Sequence, residues 1–333
     1  MAGSGVKSCA PVPHPIEWGR AGVAELADAL DSGSSGVSNP RVGSSPTPGT
    51  DVPRRVISAS RRTDLPRWYL PWLRAALQAE EATVHLPYGG CRTVSLRPEE
   101  VHTVVLWSKD YSRLLADRKL RGLLGRYDQV VAHFTVTGLG GTWIEPGVPR
   151  AEAAIAQLPE LVALCRGPER VVVRFDPIVH WHEGTRIESN ASWAEALFRA
   201  CARAGVHDLR VSTATLYGKV LRRGVAWYDP SPEEKHGIAA YLTDLAQSYR
   251  LALSACADLS LENAGIARGP CIDGMRLTAL HPQRAVAPSR RDRGQRAHCL
   301  CTESVDIGGY GMRCPGGCLY CYANPGVGRS RGR

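Results

Sequence analysis

The sequence predicts an α/β fold, a complete or partial (β/α) barrel of the TIM type, carrying an iron–sulfur-type cysteine loop at its C-terminal end. Three observations predict it. Apolar, β-branched runs recur along residues 53–325, most of them separated by amphipathic helical patterns. Polar and charged residues gather just after these runs, where a barrel carries its chemistry. No glycine-rich nucleotide fingerprint follows the first run, which weighs against a doubly wound open sheet.

Composition sets the outer limits. The chain has 333 residues, 44% of them hydrophobic, enough for one large domain or two small ones. It contains no run of about 18 apolar residues that would span a membrane. Its start lacks the basic-then-apolar pattern of a signal peptide. Eleven cysteines without a secretion signal point to a reducing, cytoplasmic setting and to metal or cluster work rather than disulfides. The formal charge of +9 is carried mainly by arginine. It permits an anionic partner, nucleic acid included, without demanding one.

Residues 1–52 are rich in Gly, Ser and Pro and read as disordered. Gly22–Asp31 and Arg41–Thr50 together resemble the peptide obtained by translating a transfer-RNA gene, so the segment is expected to be a spurious extension from a start codon called too early, with the true start near Val52–Val56. Residues 326–333 are expected to be a disordered tail. Between them, strands are expected at 56–60, 83–86, 103–107, 130–136, 171–175, 209–213, 251–256 and 304–307. Ser192 with Glu195 reads as a capping box opening a helix with Trp193, Leu197 and Cys201 on one face and Gly205 past its end. Ser231-Pro232-Glu233-Glu234 opens another, with Ile238, Leu242, Leu245 and Tyr249 on one face.

The strand ends carry the candidate chemistry. Ser58, Ser60, Arg61, Arg62, Thr63 and Asp64 follow the first strand, Trp107 and Lys109 the third. Thr135, Thr137 and Gly138 end the fourth, Arg174 and Asp176 the fifth, Ser212 and Thr213 the sixth, Cys256 the seventh. Arg61 and Arg62 offer planar forks for carboxylate or phosphate. With Asp64, Lys109, Arg174 and Asp176 they form the candidate catalytic set; a structural salt-bridge network is the plainer alternative. Closure would bring the last strand beside the first, and Arg61 and Arg62 to the cysteine loop.

That loop runs Arg313-Cys314-Pro315-Gly316-Gly317-Cys318-Leu319-Tyr320-Cys321-Tyr322-Ala323-Asn324. A C-x3-C-x2-C spacing can hold three irons of a 4Fe-4S cluster and leave the fourth open. A structural zinc knot is the competing reading. Cys256, Cys271, Cys299 and Cys301 could complete a second, auxiliary cluster, a zinc site, or simply fill core space. Cys165 and Cys201 lie on helical patterns and read as core; Cys9 and Cys91 read as incidental.

The terminal spacing, with Tyr320 before the third cysteine, is similar to the cluster loop of radical S-adenosylmethionine (SAM) enzymes, although in those it usually lies near the start of the domain. The motifs Val56-Ile57-Ser58-Ala59-Ser60-Arg61-Arg62-Thr63-Asp64-Leu65-Pro66, Val94-Ser95-Leu96, Leu106-Trp107-Ser108-Lys109, Phe134-Thr135-Val136-Thr137-Gly138, Arg174-Phe175-Asp176-Pro177-Ile178, Cys271-Ile272-Asp273-Gly274 and Glu303-Ser304-Val305-Asp306-Ile307-Gly308 resemble, in order, those of bacterial domain-of-unknown-function family 1848. The resemblance implies radical-SAM-like chemistry and no particular substrate. Cys314, Cys318 and Cys321 would hold the cluster, whose open iron would chelate SAM and, given one electron from a flavodoxin or ferredoxin, yield a 5′-deoxyadenosyl radical. Tyr320 would lie near the adenine; Thr137, Gly138 and Ser212 are the further cofactor-binding candidates. Two other readings stay open: a metal-stabilised binding protein for a phosphate-bearing ligand or nucleic acid, and an iron–sulfur enzyme that works without SAM.

Overall fold

A computed structural model describes residues 54–323 and 325. The expected N-terminal extension and C-terminal tail lie outside the described residues. Among the described residues twelve strands form, in chain order: β1 (Arg55–Ala59), β2 (Glu81–His85), β3 (Cys91–Ser95), β4 (Val101–Ser108), β5 (Val130–Thr135), β6 (Val171–Ile178), β7 (His180–Glu183), β8 (Arg186–Ser189), β9 (Asp208–Thr213), β10 (Trp227–Tyr228), β11 (Ala252–Ala255) and β12 (Val305–Asp306). Seven make one all-parallel sheet in the order β11-β9-β6-β5-β4-β1-β12, with helices in most of the connections. Among the described residues no ladder joins β11 to β12.

Seven of the eight expected strands lie in that sheet. The run at 83–86 instead enters an antiparallel hairpin, β2 with β3. Gly89 and Gly90, both at positive φ, turn the chain straight back before any helix can carry it across. The capping box expected at Ser192 is also replaced. Ser189 caps a 3-10 turn, Asn190–Trp193, which feeds the helix Ala194–Arg203. The box at Ser231 forms as expected, at the start of the helix Pro232–Ser248.

Register explains the sheet's two faces. Ile57, Val104, Leu106, Phe134, Val173, Phe175 and Val211 are buried among apolar neighbours, as a helix-covered parallel sheet requires. The alternate residues are more polar. Asp306, Ser58, Val105 and Val131 stand in one row; Trp107, His133, Val172 and Asp208 in the next; Thr135, Arg174, Arg210 and Ser254 in the third. Much of this face is buried too, with His133 at 1% exposure and Arg210 at 6%. Its cover includes residues 268–304, whose backbone carbonyls meet it: Gln129 donates to Leu277 O (3.0 Å), Arg210 Nε to Pro270 O (3.2 Å) and His102 Nε2 lies 2.8 Å from Ala285 O. No helix is long and apolar enough to cross a membrane among the described residues.

Candidate functional site

The C-terminal ends of the parallel strands collect the polar residues, and the pairing of β12 with β1 delivers the terminal cysteine loop to the same end. Asp306 fixes that junction. It accepts from Ser58 Oγ (2.9 Å), Ser60 Oγ (2.6 Å), Arg61 N (2.9 Å) and Gly308 N (2.9 Å). The Arg61 side chain reaches Ser304 Oγ (3.0 Å) and Asp292 (3.4 Å), and Arg62 reaches Gly308 O (2.9 Å), Asp306 (3.4 Å) and Tyr310 Oη (3.1 Å). Both arginines thus tie the last strand to the first, the arrangement weighed as a salt-bridge network. Asp64 caps the short helix Leu65–Trp68 and also accepts from Ser108 Oγ (2.7 Å) and Lys109 N (3.0 Å). Burial pushes its carboxyl up to about 6, against those donors.

The cysteine loop is laced to its surroundings through main-chain groups. Tyr69 Oη donates to Arg313 O (2.5 Å), Gly147 N to Gly316 O (3.1 Å), Leu319 N to Ile144 O (2.9 Å) and Arg223 to Leu319 O (2.6 Å). Cys318 is buried, Cys314 and Cys321 half-buried. Burial raises all three thiols, Cys314 to about 12. A Cβ on Gly316 would lie 3.4 Å from Cys314 Sγ and 3.9 Å from Cys318 Sγ. The glycine therefore leaves open the space between two sulfurs. Soft thiol donors in a short glycine-bearing loop fit a thiolate-held cluster. Among the described residues, no three His, Cys, Asp or Glu side chains already stand around one point suited to a single metal ion.

Beside Cys318 lies a carboxylate that the sequence reading missed. Glu145 is fully buried. Its Oε1 takes Lys109 Nζ (3.1 Å), Thr137 Oγ1 (2.7 Å) and the Tyr320 hydroxyl, while its Oε2 is buried and has no partner among the described residues. Burial works against the charge on Lys109, but Glu145 and then Cys318 more than offset it and leave the ammonium pKa raised. Lys109 also stands 5.5 Å from the centre of the Tyr320 ring. The only sequence signal for Glu145 was its place in Gly140-Gly141-Thr142-Trp143-Ile144-Glu145-Pro146, just after the β5 strand end.

Thr137 therefore joins this network, whereas Gly138 serves packing: at φ +81°, it lies so close to Trp193 that a Cβ would come within 2.2 Å of the indole. Arg174 and Asp176 pair with each other, and Ser212 donates to Asp176 (2.5 Å). Arg174 also lies 2.7 Å from Cys271 Sγ and 3.7 Å from Cys256 Sγ. Those two sulfurs are 3.0 Å apart, and Cys299 and Cys301 share their buried cluster with Val56, Val105, Val131 and Trp107. The expected C-terminal set of residues is thus drawn together in two groups, one in the loop and one deeper against the polar sheet face. Cys165 and Cys201 are buried core residues, as their helical pattern suggested.

A family model described as "Domain of unknown function (DUF1848)" matches residues 56–323. No curated protein and no solved structure matches the chain.

Proposed function

Since the chain belongs to the DUF1848 family, whose description names no activity, its function is argued from the site, and we propose a radical-SAM-like iron–sulfur enzyme. The observation that carries this reading is the juxtaposition of a three-cysteine loop, two of whose thiols flank Gly316, with a buried carboxylate, Glu145, one oxygen of which has no partner among the described residues. Cys314, Cys318 and Cys321 would hold the cluster. Bound there with SAM, it would supply one-electron chemistry that no side chain offers.

The chain's own groups have definable tasks. Glu145 Oε2 is an acceptor placed for an ammonium group, such as that of an amino-acid moiety. Lys109 donates to Glu145 Oε1 (3.1 Å) and sets a positive charge near Cys318. Tyr320, buried and tied to Glu145, excludes water from that side. Arg174, Asp176 and Ser212 offer fixed polar contacts for an as yet unidentified, polar or anionic substrate. We also read the seven-stranded sheet as a partial (β/α) barrel, because much of its polar face is buried and Arg61, Asp64, Lys109, Thr137, Asp176 and Ser212 lie at the C-terminal ends of its strands. A cytoplasmic setting and a small electron-transfer protein as donor follow from the same reading.

The test is anaerobic reconstitution of the full chain, with iron and sulfide counted and reduced EPR spectra taken with and without SAM. A SAM-dependent spectral change that vanishes in Cys318→Ala supports the proposal. Zinc without sulfide at this loop overturns it in favour of a metal-braced binding protein, and iron–sulfur spectra indifferent to SAM in favour of an iron–sulfur enzyme of another kind.

A further inference from the structure

We propose that Cys256, Cys271, Cys299 and Cys301 form a second metal centre, a four-thiolate site independent of the terminal loop, that braces the irregular segment 281–304 against the sheet. Four observations carry it. The four cysteines come from three separate stretches of chain, yet Cys271, Cys299 and Cys301 lie in one buried cluster with Val56, Val105 and Val131, and Cys256 packs against it. Chance placement of small core residues does not require the sulfurs to meet, and here Cys256 Sγ and Cys271 Sγ are 3.0 Å apart. Main-chain N–H groups also point at sulfur: Ile272 N lies 3.4 Å from Cys301 Sγ and Cys301 N 3.5 Å from Cys299 Sγ. Hydrogen bonds to sulfur are the usual support of metal-bound thiolates.

The third observation is charge. Arg174 places its guanidinium 2.7 Å from Cys271 Sγ and 3.7 Å from Cys256 Sγ, in a part of the sheet face where its side chain is 12% exposed. Among the described residues one carboxylate, Asp176, pairs with it. A buried cation set against sulfur is what a net-negative thiolate centre needs. The fourth is the cover itself. Residues 281–304 contain no helix or strand, only the bridge between Arg291 and Thr302. Irregular segments longer than about 15 residues are uncommon inside a compact domain, and a metal tie from the 299–301 pair to 256 and 271 would hold this one near its C-terminal end.

The four sulfurs do not yet surround one point, so binding would open the Cys256–Cys271 contact and turn Cys299 and Cys301 toward it. Zinc and an iron–sulfur cluster share this donor chemistry, and the experiment separates them. The full chain with Cys314→Ala, Cys318→Ala and Cys321→Ala is purified without oxygen from cells grown with added iron and zinc. Metal and acid-labile sulfide are then counted. The expected result is about one zinc, or about four irons with sulfide, retained per chain. Adding Cys271→Ala and Cys301→Ala should lower that content at least tenfold. Because such variants can misfold, the wild-type chain is also alkylated before and after chelation, and the labelled cysteines are mapped by mass spectrometry. Protection of these four that is lost on chelation supports the centre. No retained metal in the triple variant, or a Cys256–Cys271 disulfide in its place, overturns it.

Discussion

Cys314, Cys318 and Cys321 belong to one short loop, whereas Cys256, Cys271, Cys299 and Cys301 are brought together only by the folded sheet and its cover. The loop's positions are fixed by main-chain hydrogen bonds to residues 69, 144, 147 and 223, and its thiols are kept neutral by burial. The deeper group has a guanidinium within hydrogen-bonding reach of two of its sulfurs. A local loop can present an exchangeable cofactor without holding the fold together. An assembled group cannot, because the same ties that make the site also close the domain. The first should therefore be separable from stability and the second inseparable from it.

The sharpest break in this comparison is metal withdrawal. Structural metal sites contribute on the order of 10 kcal/mol of folding free energy in small domains. A strong chelator should accordingly lower the melting temperature of the Cys314/Cys318/Cys321→Ala chain by more than about 10 °C, given roughly 2–4 °C per kcal/mol for a domain of this size. Limited proteolysis should then cut within 281–304. The three loop substitutions by themselves should shift melting by no more than about 2 °C, since they replace thiols without breaking the loop's main-chain bonds. Equal losses from the two treatments would erase the distinction.

Next comes Glu145→Ala. It leaves Lys109, whose side chain is 18% exposed, without its carboxylate, a loss of about 3–5 kcal/mol when one partner of a buried pair is removed. Thermal unfolding of Glu145→Ala against the double variant with Lys109→Met measures it. Recovery of most of the loss in the double variant is expected. If the single variant melts like the wild type, the charge argument for this wall of the site fails.

The comparison also marks what the sequence could convey. Seven of the sheet's strands were legible because buried parallel strands read as short β-branched runs bounded by turns. The hairpin run at 83–86 has the same local pattern, and only its pairing distinguishes it. The loop was legible because its ligand spacing is written in eight consecutive residues. The deeper group was legible as four thiols that could share one centre, with core filling as the alternative, but no spacing records that residue 256 meets 271. Arg61 and Arg62 were read toward a ligand because arginine forks look alike in sequence whatever they grip; Asp306, their partner, stands about 245 residues away. Glu145 was missed for the converse reason: a lone acid in a glycine loop gives no sign that it will be buried beside a lysine and a cysteine.

A smaller effect separates the loop's geometry from its chemistry. A Cβ on Gly147 would sit 2.8 Å from Gly316 O, a main-chain atom that cannot swing aside. Gly147→Ala should cost about 1–3 kcal/mol and increase alkylation of Cys314 and Cys318, with the deeper thiols unchanged. Gly122, in the helix Arg118–Leu124, has open space around it. Gly122→Ala should be neutral or stabilising by up to about 1 kcal/mol, which makes it the matched control. Increased labelling of both cysteine groups in Gly147→Ala would show that the loop is not an independent unit.

The smallest expected effect is on the deeper side and depends on pH. His281 begins the irregular segment, its ring centre 4.5 Å from that of His102, and both are buried. His102 contacts Ala285 O, and His281 Nδ1 accepts from Gln283 N (3.2 Å), a role open only to the unprotonated nitrogen. Burial lowers both pKa values; His102 and nearby Arg54 and Arg170 reinforce this for His281, and Asp128, 3.7 Å from His281, opposes it without reversing it. With folded values below the ordinary value of about 6.5, the pair stabilises the fold fully above that pH, and the contribution is lost as pH falls from there toward the lowered folded values. Hydrogen exchange, corrected for its intrinsic pH dependence, should therefore show 281–304 opening more readily at pH 5.5 than at 7.5, while 144–148 keeps its protection. A uniform loss across both regions would mean that acid acts on the domain as a whole and that the histidine pair anchors nothing in particular.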